Sequence, residues 1–153
     1  MDIKIDDLSG PEIAALLNEH LQDMYATSPA ESVHALDLSK LRQPEITFWT
    51  VWDSNQLMGC GAIKRLSANH AEIKSMRVAN AHRRKGVAAK LLQHMLTHAQ
   101  QQQYQLLSLE TGTMAFFEPA RQLYRQFGFE VGDKFADYLD DPNSMFMHKV
   151  LGK

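Results

Sequence analysis

The period of the apolar positions changes several times along the chain, and each change marks an element. Ile3 and Ile5 alternate with Lys4 and Asp6, the period-two signature of a short strand. Ser9, Pro11 and Glu12 then read as a helix start: a capping hydroxyl, an early proline and a carboxylate in the first turn. Ile13, Leu16, Leu17, His20, Leu21 and Met24 follow at helical spacing. Between Ala26 and Pro44 no period holds. This stretch reads as a loop with one short helix around Leu36 to Leu41, punctuated by Pro29 and Pro44.

Ile46 to Trp52, Leu57 to Leu66 and Glu72 to Val78 read as three strands joined by short turns, an antiparallel meander. Gly59 and Gly61 inside the middle strand predict a bulge or a close backbone approach. Helical spacing returns after Gly86, where Val87, Leu91, Leu92, Met95, Leu96 and Ala99 form one apolar stripe. A strand over Gln105 to Thr111 comes next, then a helix over Phe116 to Phe127. That helix tolerates Pro119 only near its beginning, and Gly128 is placed to end it. Short strands close the chain near Phe129 to Val131 and Phe146 to Leu151. The order predicts an α/β (α+β) fold with a mixed sheet: an antiparallel meander, then a parallel β-α-β segment, with helices on both faces.

Composition narrows the function classes. The 153 residues carry no repeat and no Gly/Ser linker, so a single domain over 1–153 is expected. A net charge of −2 supplies no basic field for nucleic acid or an anionic membrane. Cys60 is the one cysteine, which excludes an internal disulfide and fits a reducing compartment. The acidic start MDIKIDDL is unlike a signal peptide, and no apolar run approaches the ~18 residues of a membrane helix, so a cytoplasmic location is expected. His94 and His98 stand four residues apart on the long helix, but with no third ligand no metal is expected.

The strongest chemical signal is EIKSMRVANAHRRKGVAAKLL, in which a strand ends at Val78, a basic loop follows, and a helix opens at Gly86. Helix N-termini present unpaired N–H groups and the positive end of the helix dipole, a ready site for pyrophosphate. Gly86 admits close backbone approach, and Arg83, Arg84 and Lys85 add positive charge. Neither GxxxxGK[ST] nor GxGxxG is present.

RRKGVA resembles the Gln/Arg-x-x-Gly-x-Gly/Ala signature of the GNAT superfamily, the Gcn5-related N-acetyltransferases, with Arg83, Gly86 and Ala88 at its defined positions. The element order and the late LYRQFGF tract resemble the same family over nearly the whole chain. Within it, ESVHALDL, ITFW, EIKSMRV, SLETG and DPNSMFM are similar to the YsnE-type bacterial acetyltransferases. The resemblance implies an acyl-CoA-dependent N-acetyltransferase using acetyl-CoA as co-substrate. It implies cofactor contacts from Met76, Arg77 and Val78, then from Arg83, Arg84, Lys85, Gly86, Val87, Ala88 and Ala89. It also allows a homodimer.

Acetyl transfer to an amine needs a base for the ammonium, an acid for the departing thiolate, and donors for the oxyanion. Glu72 stands where the resemblance puts a strand glutamate acting as base, and Glu110 is the second base candidate. Tyr124 is the acid candidate, although its helical spacing with Ala120, Leu123 and Phe127 also fits a core position. The acceptor, expected to be a primary amine of a small molecule or peptide, falls to the helix–loop unit before the central strands, where His20, Met24, Tyr25, Ser28, Glu31, Ser32 and His34 lie, with Tyr25 and His34 as contacts. Transfer to protein lysines, transfer of longer acyl chains, and a non-catalytic acyl-CoA sensor stay open as alternatives.

Overall fold

A computed structural model of the protein describes residues 1–29, 38–83 and 85–151, with Asn80 described in its backbone only. The strands are β1 (Asp2–Ile5), β2 (Ile46–Asp53), β3 (Gln56–Arg65), β4 (His70–Val78), β5 (Leu106–Gly112), β6 (Glu130–Gly132) and β7 (Ser144–Val150). The helices are α1 (Pro11–Thr27), α2 (Leu38–Leu41), α3 (Val87–Gln101) and α4 (Glu118–Gln126). Among the described residues seven strands form one sheet in the order β1-β2-β3-β4-β5-β7-β6. Of these neighbours only β4 and β5 pair in parallel, joined across α3; the others are antiparallel. The expected meander and parallel β-α-β segment are therefore both present.

Residue parity sorts the two faces. Trp49, Val51, Ile63, Ala71, Ile73, Leu107, Leu109 and Met147 join the stripe of α3 and Tyr124 of α4 in the larger core. Phe48, Cys60 and Ala62, on alternate positions, pack with Ile13 and Leu16 of α1 and Leu41 of α2. Gly61 admits close packing from both β4 and α3: a Cβ there would lie 2.6 Å from Met76 Sδ of β4 and 3.0 Å from Met95 Sδ of α3. Cys60 is a buried core residue, and burial pushes its thiol up to about 12. His94 and His98 edge onto the Trp49 ring at 6.0 and 4.9 Å between centroids.

Two local expectations need correction. Ser9 does not cap α1: Gly10 occupies the cap position, and the Ser9 hydroxyl donates to Asp7 at 2.6 Å instead. The helix starts at Pro11, whose missing N–H suits the first turn, so the cap falls one residue later than the hydroxyl. The element expected over Phe116 to Phe127 divides into a 3-10 turn at Ala115–Phe117 and the α-helix Glu118–Gln126, because Pro119 sits comfortably only in a first turn.

Candidate active site

Two features of β4 open the sheet. Its register against β3 passes from Ala62↔Lys74 to Cys60↔Arg77, so Ser75 and Met76 together oppose Gly61 in a bulge. Ser75 takes the left-handed φ of 57° there, and the Cys60 thiol donates to its carbonyl at 3.3 Å. The parallel pairing with β5 ends at Ile73↔Leu109. Beyond that point β4 and β5 carry no pairing with each other, and the wedge between them holds two adjoining clefts.

One cleft, of about 470 Å³, is lined by Met76, Arg77 and Val78 of β4, Arg83, Gly86, Val87, Ala88 and Ala89, and the turn leading into α4. Gly86 has φ +79°, a backbone conformation that favours glycine, and an added Cβ would meet nothing within 4 Å, so the space before it is open. The Arg83 guanidinium lies 3.8 Å from Asp23 of α1 and 5.6 Å above the Phe116 ring, across the mouth of this cleft. Lys85 is exposed and contacts His82. Arg84 lies outside the described residues.

The second cleft is floored by Glu72, Lys74, Glu110 and Tyr138. Glu72 is 2% exposed and is not the solvated strand-end carboxylate its position also allowed. Tyr138 donates to Glu72 Oε2 at 2.6 Å, and Lys74 Nζ reaches both Glu72 Oε2 and the Tyr138 hydroxyl at 3.1 Å. Burial first, and the Glu72 carboxylate second, push the Tyr138 phenol well above its ordinary value, so it stays a donor. Glu110 is partly exposed, and the Ser144 hydroxyl donates to its Oε2 at 2.7 Å. Sequence reasoning passed over Tyr138, which lies in a polar segment with no period. Lys74 could have been found, since it shares the strand face of Glu72 at a spacing of two.

Tyr124 stands where the clefts meet, together with His20, Met76, Phe117 and Ala120. It is both core and cleft wall: 6% exposed, edge-on to Phe129, and part of both linings. Burial raises its phenol above the ordinary range, so it is protonated at neutral pH. The buried Arg121 fixes this approach by donating to the Gly112 and Met114 carbonyls at 2.6 and 3.0 Å and pairing with Glu118. Tyr25 is 54% exposed and lines neither cleft. His34 lies outside the described residues.

The acetyltransferase (GNAT) family model matches residues 13–129, which spans β4, the basic loop, α3 and α4. The chain belongs to the GNAT family. It is 58% identical over 151 residues to the uncharacterized N-acetyltransferase YsnE of Bacillus subtilis (strain 168), covering 99% of this chain and 100% of that protein. It is 49% identical to the uncharacterized N-acetyltransferase YedL of Escherichia coli (strain K12), covering 97% and 94%. Among solved structures, a Klebsiella pneumoniae protein assigned as an acyl-CoA N-acyltransferase superposes with a TM-score of 0.79 at 26% identity, covering 99% and 97%. This GNAT chain is thus an enzyme of the N-acetyltransferase class. Among its described residues no helix is long and apolar enough to cross a membrane.

Proposed function

We propose that the chain transfers the acetyl group of acetyl-CoA directly to a primary amine of a small molecule or peptide. The observation that carries this reading is the junction: a cleft with a helix N-terminus and a strand edge meets a cleft floored by carboxylates, at the Tyr124 phenol. The helix opening from Gly86 to Ala89 suits the pyrophosphate. The β4 edge at Met76 and Val78 suits the pantetheine amides, which can join it as an added strand would.

The acceptor amine arrives largely protonated, since alkyl ammonium groups titrate near 10.4. Exposure reverses the order of the two base candidates. Both carboxylates have one oxygen bonded, Glu72 by Tyr138 and Lys74 and Glu110 by Ser144, but the Glu72 side chain is only 3% exposed whereas Glu110 is partly exposed in the cleft. Glu110 therefore takes the ammonium proton, and Glu72 serves as the buried counter-charge that holds Lys74 and Tyr138 in the floor. The neutral amine attacks the thioester carbon, the C–S bond breaks with its electron pair leaving on sulfur, and the second proton lost by the nitrogen passes through solvent to that thiolate. Tyr124 donates a hydrogen bond to the thiolate as it forms. A screen of primary amines with acetyl-CoA, reading release of the CoA thiol, tests the reading. Turnover of one amine class is expected. Tight acetyl-CoA binding with no turnover of any amine or peptide would favour the non-catalytic sensor.

A further inference from the structure

We propose that His20 donates a hydrogen bond from its neutral imidazole to the carbonyl oxygen of the acyl thioester, at the point where the two clefts meet. The inference rests on the acetyl-transfer reading above and assigns one residue within it. His20 projects from α1 and, like Tyr124, lines both clefts. The thioester must lie at that junction, because only there can an acceptor from one cleft reach an acyl group from the other.

The two ring nitrogens of His20 are in different situations. Nδ1 is sealed from solvent with no hydrogen-bond partner. No described residue bonds Nε2 either, yet it is not sealed off, so it faces the cleft. A neutral imidazole has one donor and one acceptor. With the lone pair at the sealed Nδ1, the hydrogen sits on Nε2 and points at the junction. The acidic neighbours on α1 do not compete for it: Glu19 and Asp23 pair with Arg77 at 2.6 and 2.5 Å. Burial first, then the Arg77 guanidinium, hold the imidazole pKa down to about 4, so at neutral pH the ring is a fixed neutral donor.

Packing alone does not explain a histidine here. A leucine would fill the same space between α1 and the sheet without leaving a nitrogen unsatisfied. A polar group that weakens the fold and faces the reacting position is what a donor to a developing oxyanion requires. In the reaction the donor transfers no proton. It stabilises the carbonyl oxygen as the amine adds, and the same bond relaxes when the thiolate leaves.

The experiment uses the full chain, acetyl-CoA labelled with 13C at the carbonyl, and the variants His20→Leu and His20→Gln. Difference infrared spectra of bound cofactor read the thioester C=O stretch, calorimetry reads the acetyl-CoA Kd, and thermal unfolding reads stability. In the wild type the stretch is expected to fall below its value in free acetyl-CoA. His20→Leu should return part of that shift, keep Kd within about threefold, and keep or raise Tm. His20→Gln, which retains an N–H donor, should preserve most of the shift. A stretch identical in wild type and His20→Leu, both with cofactor bound, would overturn the assignment while leaving the acetyl-CoA site intact. A lowered Tm in His20→Leu together with an unchanged stretch would make the residue structural. Failure of the wild type to bind acetyl-CoA would remove the functional reading, and this inference with it.

Discussion

Tyr124→Phe separates chemistry from packing, because the structure fixes what each reading expects. The ring is 6% exposed and packs edge-on against Phe129 at 5.6 Å, a contact that phenylalanine keeps. No described residue hydrogen-bonds the hydroxyl, so removing it orphans no partner within the protein. Stability should therefore change by less than about 0.5 kcal/mol, a Tm shift within about 2 °C for a domain of this size. The catalytic loss is larger. General acid catalysis contributes about 10²–10⁴-fold, or roughly 2.7–5.4 kcal/mol. Burial raises the phenol further above the ~8.5 of a thiol, so complete proton transfer to sulfur is uphill and the hydroxyl acts mainly by hydrogen-bonding the developing thiolate. That places the expected fall in kcat near the lower end, about 10²-fold, with acetyl-CoA Kd nearly unchanged. Single-turnover kinetics with a thiol-reactive dye, calorimetry and thermal unfolding on one preparation measure all three. An unchanged single-turnover rate would remove Tyr124 from the chemistry, and a matched loss of rate and cofactor affinity would make it a binding residue.

The carboxylates should respond differently. Glu110→Gln should lower kcat/KM about 10²-fold at neutral pH and recover as pH approaches the amine pKa. Glu72→Gln should instead leave Lys74 without its buried counter-charge, costing about 3 kcal/mol, seen as a Tm lower by roughly 6–12 °C; a Glu72→Gln protein of normal Tm that carries the pH-rescued defect would exchange the two roles. Gly86→Glu should fold with a penalty of about 1–2 kcal/mol for a Cβ at positive φ, and lose at least tenfold in acetyl-CoA affinity by calorimetry; unchanged affinity would refute the pyrophosphate site. Acid should also reveal His20. Its folded pKa of about 4 lies below the unfolded value near 6.5, so the unfolded chain binds the proton first and stability, full above pH 6.5, falls on the way down to 4. Urea unfolding at pH 7 and 4.5 should give a loss greater by about 2 kcal/mol in wild type than in His20→Leu; equal losses would refute the depressed pKa.

Some of this was legible in the sequence because it is local. The stripe from Val87 to Ala99 is one helix face, and the Gly86 opening and the strand before it lie within a dozen residues. Gly59 and Gly61 did mark a bulge and a close helix approach. What was not legible depends on long-range contact. Tyr138 meets Glu72 across 66 positions, from a segment whose spacing carries no signal. His20 sits on the apolar stripe of α1 within the unit assigned to the acceptor, but spacing alone did not single it out there, and the clefts it lines distinguish it from Leu16 or Leu17.

The parity of the central strands explains why the carboxylates were easy to notice but hard to assign. In β4, Ala71 and Ile73 face the α3 core while Glu72 and Lys74 face the other way; in β5, Leu107 and Leu109 oppose Ser108 and Glu110 in the same manner. Read along the chain, that alternation describes an ordinary sheet with one wet face. The segment after β6 changes its meaning. Phe135 packs on His70, Phe146 and His148, and Tyr138 reaches Glu72, so Glu72 and Ser108 become 2% and 0% exposed. Polar groups buried in this way must be satisfied, and they are: Glu72 by Tyr138 and Lys74, and Ser108 by His70 and His148 at 2.7 Å each. Glu110 lies two residues further along β5, past the last pair between β4 and β5, where the wedge has opened. The same face thus holds one carboxylate sealed beneath Tyr138 and one that, although bonded by Ser144, stays partly exposed in the cleft, and the divergence of two strands decides which is which.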